Sequence, residues 1–307
     1  MHDEAMRTAV PIVSVKPVVL AAPERGTDLL VRVSAPVSGH DLPVIVFSHG
    51  YGWSLDGYGP LADYWAAHGF VVIQPTHLDS RTLGIPAEDP RTPLIWRIRV
   101  ADLTHVLDRL DRLLDAVPGL AERVDPSRIA VAGHSWGAQS ASMLLGARVL
   151  DSAGEPGEDL SDPRVGAGVL LALTGHGGTD LSPFAAEHFP FMSPSFADMR
   201  TPALVVAGDH DQSHLSLRGP DWFTDAYFAS PGDKSLLTLF GAEHSLGGIV
   251  GHQVAETTDE SPERVSIIQR LSSGYLHRTL GKDESGWREA GKALAHSMNP
   301  LGSLVSK

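Results

Sequence analysis

A chain of 307 residues with 42% hydrophobic and 20% charged side chains has the make-up of an ordinary globular protein, and α/β chains of this length commonly form one domain. No apolar run approaches the roughly 18 residues that a membrane-crossing helix needs, and a net charge of −13 with no basic stripe makes nucleic acid and anionic lipid unfavourable partners. The absence of cysteine removes disulfides, thiolate catalysis and Cys-ligated metals.

At the start, Asp3 and Glu4 stand where a secretory signal would be basic, and no apolar segment follows. The expectation is a cytoplasmic protein, with a mature secreted form as the alternative. Residues 11–20 and 28–34 are β-branched and partly alternating, with Pro23 and Gly26 between them, so they predict two antiparallel strands joined by a turn. From residue 43 the pattern changes to short continuous apolar runs at 44–47, 70–74, 129–132, 168–173, 203–207 and 236–240, with helical stretches between them. Continuous apolarity marks strands buried on both faces, and the strand–helix alternation predicts a mostly parallel central sheet flanked by helices.

Helices are predicted over 60–68, ended by Gly69, and over 94–116, where Leu94, Ile98, Ala101, Leu107, Leu110 and Leu114 form the expected buried stripe. Another begins at Gly137, and one opens with Ser261 as N-cap and Pro262 at the first position, running to about residue 280. Residues 79–93 and 175–199 read as long irregular loops, the second an insertion near the site. The expected organisation is one domain over 1–307, with a core of about 28–280, no large separate lid domain, and a tail over 285–307 that reads as a marginal helix and a frayed end.

Gly133-His134-Ser135-Trp136-Gly137 places the pattern G-x-S-x-G between a buried strand and a helix. Such a serine must sit on a strained turn with its hydroxyl exposed, and strand and helix then pack so closely that positions 133 and 137 have room for almost no side chain. The helix start makes the backbone N–H of Trp136 a donor for an oxyanion. A second donor is expected from the glycine-rich loop Ser48-His49-Gly50-Tyr51-Gly52, with the N–H of Tyr51 as the choice and His49 holding the loop.

A triad on this scaffold needs an acid and then a histidine after the nucleophile, each on a loop past a strand end. The run 236–240 leads into Gly241-Ala242-Glu243-His244, which makes His244 the expected base. His252 lies too far past the strand and His277 falls inside a helix. The run 203–207 leads into Gly208-Asp209-His210-Asp211. Asp211 is favoured as the acid because it lies further past the strand, with Asp209 capping the turn and Asp180 as a third choice. His210, Asp211 and His214 match no metal-site spacing, so neither metal nor organic cofactor is expected. Tyr51, Trp53, Trp136, His176, Phe189 and Phe191 are the expected substrate-binding residues around a small-molecule ester.

Over residues of about 40–250 the sequence resembles dienelactone-hydrolase-like, platelet-activating-factor-acetylhydrolase-like and chlorophyllase-like serine esterases, and is similar to bacterial cutinases and polyester hydrolases. The likeness rests on 48–52, 60–72, 133–137, 208–211 and 241–245. It implies the α/β-hydrolase fold, ester hydrolysis through an acyl-enzyme, with acyl transfer or amide cleavage by the same residues as the alternative, and a non-catalytic binding protein as the remaining class. It also implies Asp211 as the acid and the Tyr51 donor. The chain departs from these enzymes at Trp136, where they often carry Met, Gln or Arg, and in lacking the cysteines of secreted cutinases.

Overall fold

In the computed structural model, residues 8–86, 88–251, 254–281 and 283–307 are described; the acidic start and His252 lie outside them. Strands β1 (Ile12–Leu20) and β2 (Leu29–Pro36) pair antiparallel, as their alternation predicts. Then come β3 (Leu42–Ser48), α1 (Gly59–Ala67), β4 (Val71–Pro75), α2 (Ile95–Asp108), α3 (Leu110–Asp115), β5 (Val124–His134) and α4 (Trp136–Leu144). The chain continues through β6 (Arg148–Val149), β7 (Val165–Leu171), α5 (Pro183–His188), β8 (Pro194–Ser195), β9 (Ala203–Gly208), α6 (Asp225–Ala229), β10 (Lys234–Leu239), α7 (Pro262–Gly281), α8 (Ser285–Ala295) and β11 (Gly302–Ser306).

Nine of these strands form one sheet in the order β1-β2-β4-β3-β5-β7-β9-β10-β11, parallel from β4 to β10 and antiparallel at both ends. This is the α/β-hydrolase fold. Side chains alternate across the sheet, so Ile45 and Phe47 join the core layer with Trp65 and Leu271, while Val44 and Val46 join the opposite layer with Leu103 and Leu113. Both faces are covered, which is why the strands are continuous apolar runs; each fully buried Leu or Val contributes about 1.5–3 kcal/mol. At the start of α7, the Ser261 hydroxyl accepts from the Arg264 N–H at 3.3 Å, the predicted cap.

Three expectations are corrected. The predicted helix over 94–116 is two helices, breaking at Arg109, and its buried face is rotated at the start: Leu94 is exposed, while Ile95, Arg99, Asp102, Leu103 and Val106 face inward. Arg99 and Asp102 are tolerated there because each finds polar partners, Arg99 in Asp79 and Asp102 in His77 and, less closely, Arg25. The tail is ordered: α8 buries Ala290 and Leu294, and β11 pairs with β10 as an edge strand. The segment 175–199 is also more regular than expected, for Ser182 caps α5 and β8 pairs with β6.

Candidate active site

Parallel strands deliver their following loops to one edge of the sheet, and the loops after β3, β5, β9 and β10 meet there. Ser135 occupies the turn between β5 and α4 with φ 55° and ψ −120°, a strained conformation for a residue with a side chain. The glycines on either side explain how the turn is possible. A Cβ on Gly133 would lie 2.2 Å from the Gly137 carbonyl oxygen, and one on Gly137 would lie 2.0 Å from that of Ser48. The turn is held by the Ser135 N–H donating to Leu171 O at 2.9 Å, and the helix begins with the Gln139 N–H donating to Ser135 O at 3.0 Å.

The Ser135 hydroxyl lies 2.9 Å from His244 Nε2, and His244 Nδ1 lies 2.9 and 3.2 Å from the two oxygens of Asp211. Asp211 is fully buried, so its carboxylate faces the imidazole and holds Nδ1–H, which leaves Nε2 to accept from the serine. Asp209 points away and caps the turn, its Oδ1 accepting from the Gly241 N–H at 2.6 Å. Asp180 is paired with Arg218. The favoured acid is therefore the one brought to His244. His210 is exposed and His214 packs on Phe184, so neither joins Asp211 around a common point; among the described residues no cluster of three potential ligands is placed for a metal.

Among the described residues, the N–H groups of Tyr51 and Trp136 have no protein acceptor, although those of Gly50, Gly52 and Ser135 do. Trp136 N–H also lies in the first turn of α4, where the helix dipole adds positive potential. Both donors are thus free for a developing oxyanion.

Aromatic rings run outward from this point. Tyr51, 54% exposed, lies 4.8 Å from the Trp136 ring, which meets Phe189 and Phe191 edge-on at 5.2 and 5.5 Å. Beside His244, an open polar groove of about 770 Å³ is lined by residues including Asp209, His210, Glu243 and Glu256. Two further residues expected to bind substrate also make structural contacts. Trp53 packs its ring on Tyr58, buttressing the core. His176 ties its own loop down: its N–H donates to Asp225, its carbonyl accepts from the Trp222 indole, and its ring meets Pro194 O and Phe196.

Residues with no sequence signal hold His244 in place. The buried Tyr58 hydroxyl accepts from the Gly50 N–H at 3.0 Å and therefore donates to His134 Nδ1 at 2.8 Å, so His134 carries its proton on Nε2 and donates to the carbonyl of His244 at 2.8 Å. Desolvation, with the His244 ring beside it, lowers the His134 pKa to about 3, so it is a neutral strut. Asp259 accepts from the N–H groups of Glu243 and Gly247 and holds the same loop from the other side. His49 is buried; desolvation and then Arg99 lower its pKa to about 3, and its ring bridges Gly50 O and the His77 N–H, fixing the loop as expected.

Residues 9–150 match the chlorophyllase family model, a span that includes Tyr51 and Ser135 but ends before Asp211 and His244. The chain is 26% identical to cutinase est2 of Thermobifida alba over 71% of this chain and 58% of that protein. It is 20% identical to the platelet-activating factor acetylhydrolase of Cavia porcellus over 81% of this chain and 60% of that one. A carboxymethylenebutenolidase homolog of Xenopus tropicalis is 30% identical over 34% of this chain and 41% of its own length. The matches thus span three fifths or less of each relative's length.

Proposed function

We propose that this chain, which has the α/β-hydrolase fold, hydrolyses small-molecule carboxylic esters through an acyl-enzyme formed on Ser135. The observation that carries this is the hydrogen-bonded row from Ser135 Oγ through His244 to the buried Asp211, on an elbow flanked by two unspent N–H donors.

Ser135 Oγ attacks the acyl carbonyl carbon as its proton passes to His244 Nε2, and Asp211 stabilises the imidazolium through Nδ1–H. The carbonyl oxygen takes up negative charge between the N–H groups of Tyr51 and Trp136, an interaction stronger in the tetrahedral state than with the substrate. The imidazolium then gives its proton to the leaving alcohol, which departs. Water, deprotonated by His244, attacks the acyl carbon and releases the carboxylic acid and free Ser135. These steps need only the named side chains, the backbone donors and water. The aromatic row at Tyr51, Trp136, Phe189 and Phe191 supports an apolar or aromatic substituent on the ester.

Initial rates over aryl esters of rising acyl length, with Ser135→Ala as control, test the proposal. Hydrolysis by the native protein and its loss in the variant are expected; equal rates in both would overturn it.

A further inference from the structure

The Tyr51 N–H is useful only if the loop around it is fixed, and a buried ion pair is spent on that loop. Arg99, on the inward face of α2, is 1% exposed, and its partner Asp79, on the loop after β4, is 6% exposed. Arg99 Nε and Nη2 donate to the two Asp79 oxygens at 2.8 and 2.6 Å. Its remaining reach goes to the oxyanion loop: Nη1 donates to His49 O at 2.8 Å and Nη2 to Gly50 O at 3.3 Å. Asp79 completes the span by accepting from the Gly52 N–H at 3.2 Å, while Gly52 O accepts from the Arg81 N–H at 3.1 Å.

Tyr51 is therefore bracketed. On one side Gly50 has its N–H held by the Tyr58 hydroxyl and its carbonyl by Arg99 and the His49 ring; on the other, Gly52 has both backbone groups held. Between these fixed peptides, the Tyr51 N–H is left with no acceptor among the described residues. A buried ion pair contributes little net stability compared with apolar side chains of the same volume, so stability alone is a weak reason for this one. Pre-alignment of an oxyanion donor is a strong reason, because a donor that need not reorganise during reaction gives its full stabilisation to the transition state.

We propose that Arg99 and Asp79 are positioning residues for the oxyanion site, holding residues 49–52 so that the Tyr51 N–H faces the oxygen of the acyl group attached by Ser135. Neither residue touches substrate; both act through the loop backbone. The proposal rests on Ser135 being the nucleophile.

The test pairs an ester with its thiono counterpart, in which sulfur replaces the carbonyl oxygen. Sulfur is larger and a poor hydrogen-bond acceptor, so the ratio of the two rates reports on donor alignment. Arg99→Met with Asp79→Leu removes the ion pair without leaving a lone buried charge, and thermal melting checks that the variant is folded. The expected result is a kcat for the oxygen ester lower by about 10- to 100-fold with KM little changed, and an oxygen-to-sulfur rate ratio reduced by about tenfold. Arg99→Lys keeps a cation beside Asp79 but cannot span both carbonyls, and should move the ratio in the same direction by less. An unchanged kcat, or a fall by the same factor for both esters, would overturn the positioning role while Ser135 kept its own. Failure of the native protein to hydrolyse the oxygen ester would overturn the underlying mechanism instead.

Discussion

Among the described residues lie two Ser–His–Asp rows, and their distances are nearly the same. Ser135, His244 and Asp211 are joined at 2.9 and 2.9 Å; Ser48, His77 and Asp102 are joined at 2.8 and 2.9 Å. The second row is sealed, with Ser48 and His77 wholly buried, whereas the His244 side chain is 43% exposed. Ser48 ends a regular strand, while Ser135 stands at positive φ at the head of a helix beside unspent N–H groups. On the proposed mechanism, hydrogen-bonded order alone is therefore not what would make a serine nucleophilic. Access, a strained turn and oxyanion donors distinguish the first row, and the second ties β3 to the loop after β4 and to α2.

The largest contrast is expected from serine deletion. Ser135→Ala should lower kcat by about 10⁴- to 10⁶-fold, and Ser48→Ala by less than about tenfold, measured with one aryl ester under saturation. Comparable losses from both would erase the distinction between the rows. Asp211→Asn should follow closely, with kcat down by about 10⁴-fold while the melting curve stays cooperative, since the imidazole loses its tautomer and orientation.

Gly137→Ala probes where the two rows touch, because the added methyl would sit 2.0 Å from the carbonyl oxygen of Ser48. That contact is with backbone, and neither strand nor helix can shift without moving Ser135. A loss of at least about 3 kcal/mol in urea unfolding is expected, and a native-like midpoint would contradict the close packing.

Acid should weaken the sealed network. His49 and His134 are lowered from an ordinary value of 6.5 to about 3, and His77 well below 6.5, in each case first by desolvation. The unfolded chain therefore takes up more protons, so their contribution is complete above about pH 6.5 and declines as pH falls toward 3, by up to tenfold in the folding equilibrium per pH unit for each. Asp102, raised to about 7 by desolvation, runs the other way, its contribution being lost as pH rises to 7. Three histidines outweigh one carboxyl, so the urea midpoint should fall from pH 7 to pH 5; a constant midpoint would mean that these rings take up protons as readily in the folded protein as in the unfolded chain. Tyr58→Phe, the smallest change, deprives the Gly50 N–H and His134 of a partner and should cost about 1–3 kcal/mol of stability.

Much of this was legible in the sequence where a local pattern carries the information. The strands buried on both faces are continuous apolar runs, the elbow needs glycines at 133 and 137, and Asp211 and His244 follow strand ends in the required order. What escaped depends on convergence of distant segments. Arg99 and Asp102 lie on a helical face whose inward direction is set by partners far along the chain, and Tyr58 gains its role only by lying between Gly50 and His134. The edge strand β11 buries little beyond Gly302, so its alternation is faint, and its pairing is imposed by the free edge of β10. The packing of Trp53 on Tyr58 and the anchorage of the His176 backbone likewise arise only in the fold.

The most direct measurement is the site of acylation. The protein is mixed with an aryl ester whose acyl group leaves slowly, quenched in acid and digested, and the modified residue is located by mass spectrometry. One acyl group per chain on Ser135 is the expected result. An acyl group on Ser48, or hydrolysis with no acyl group on Ser135, would contradict the mechanism.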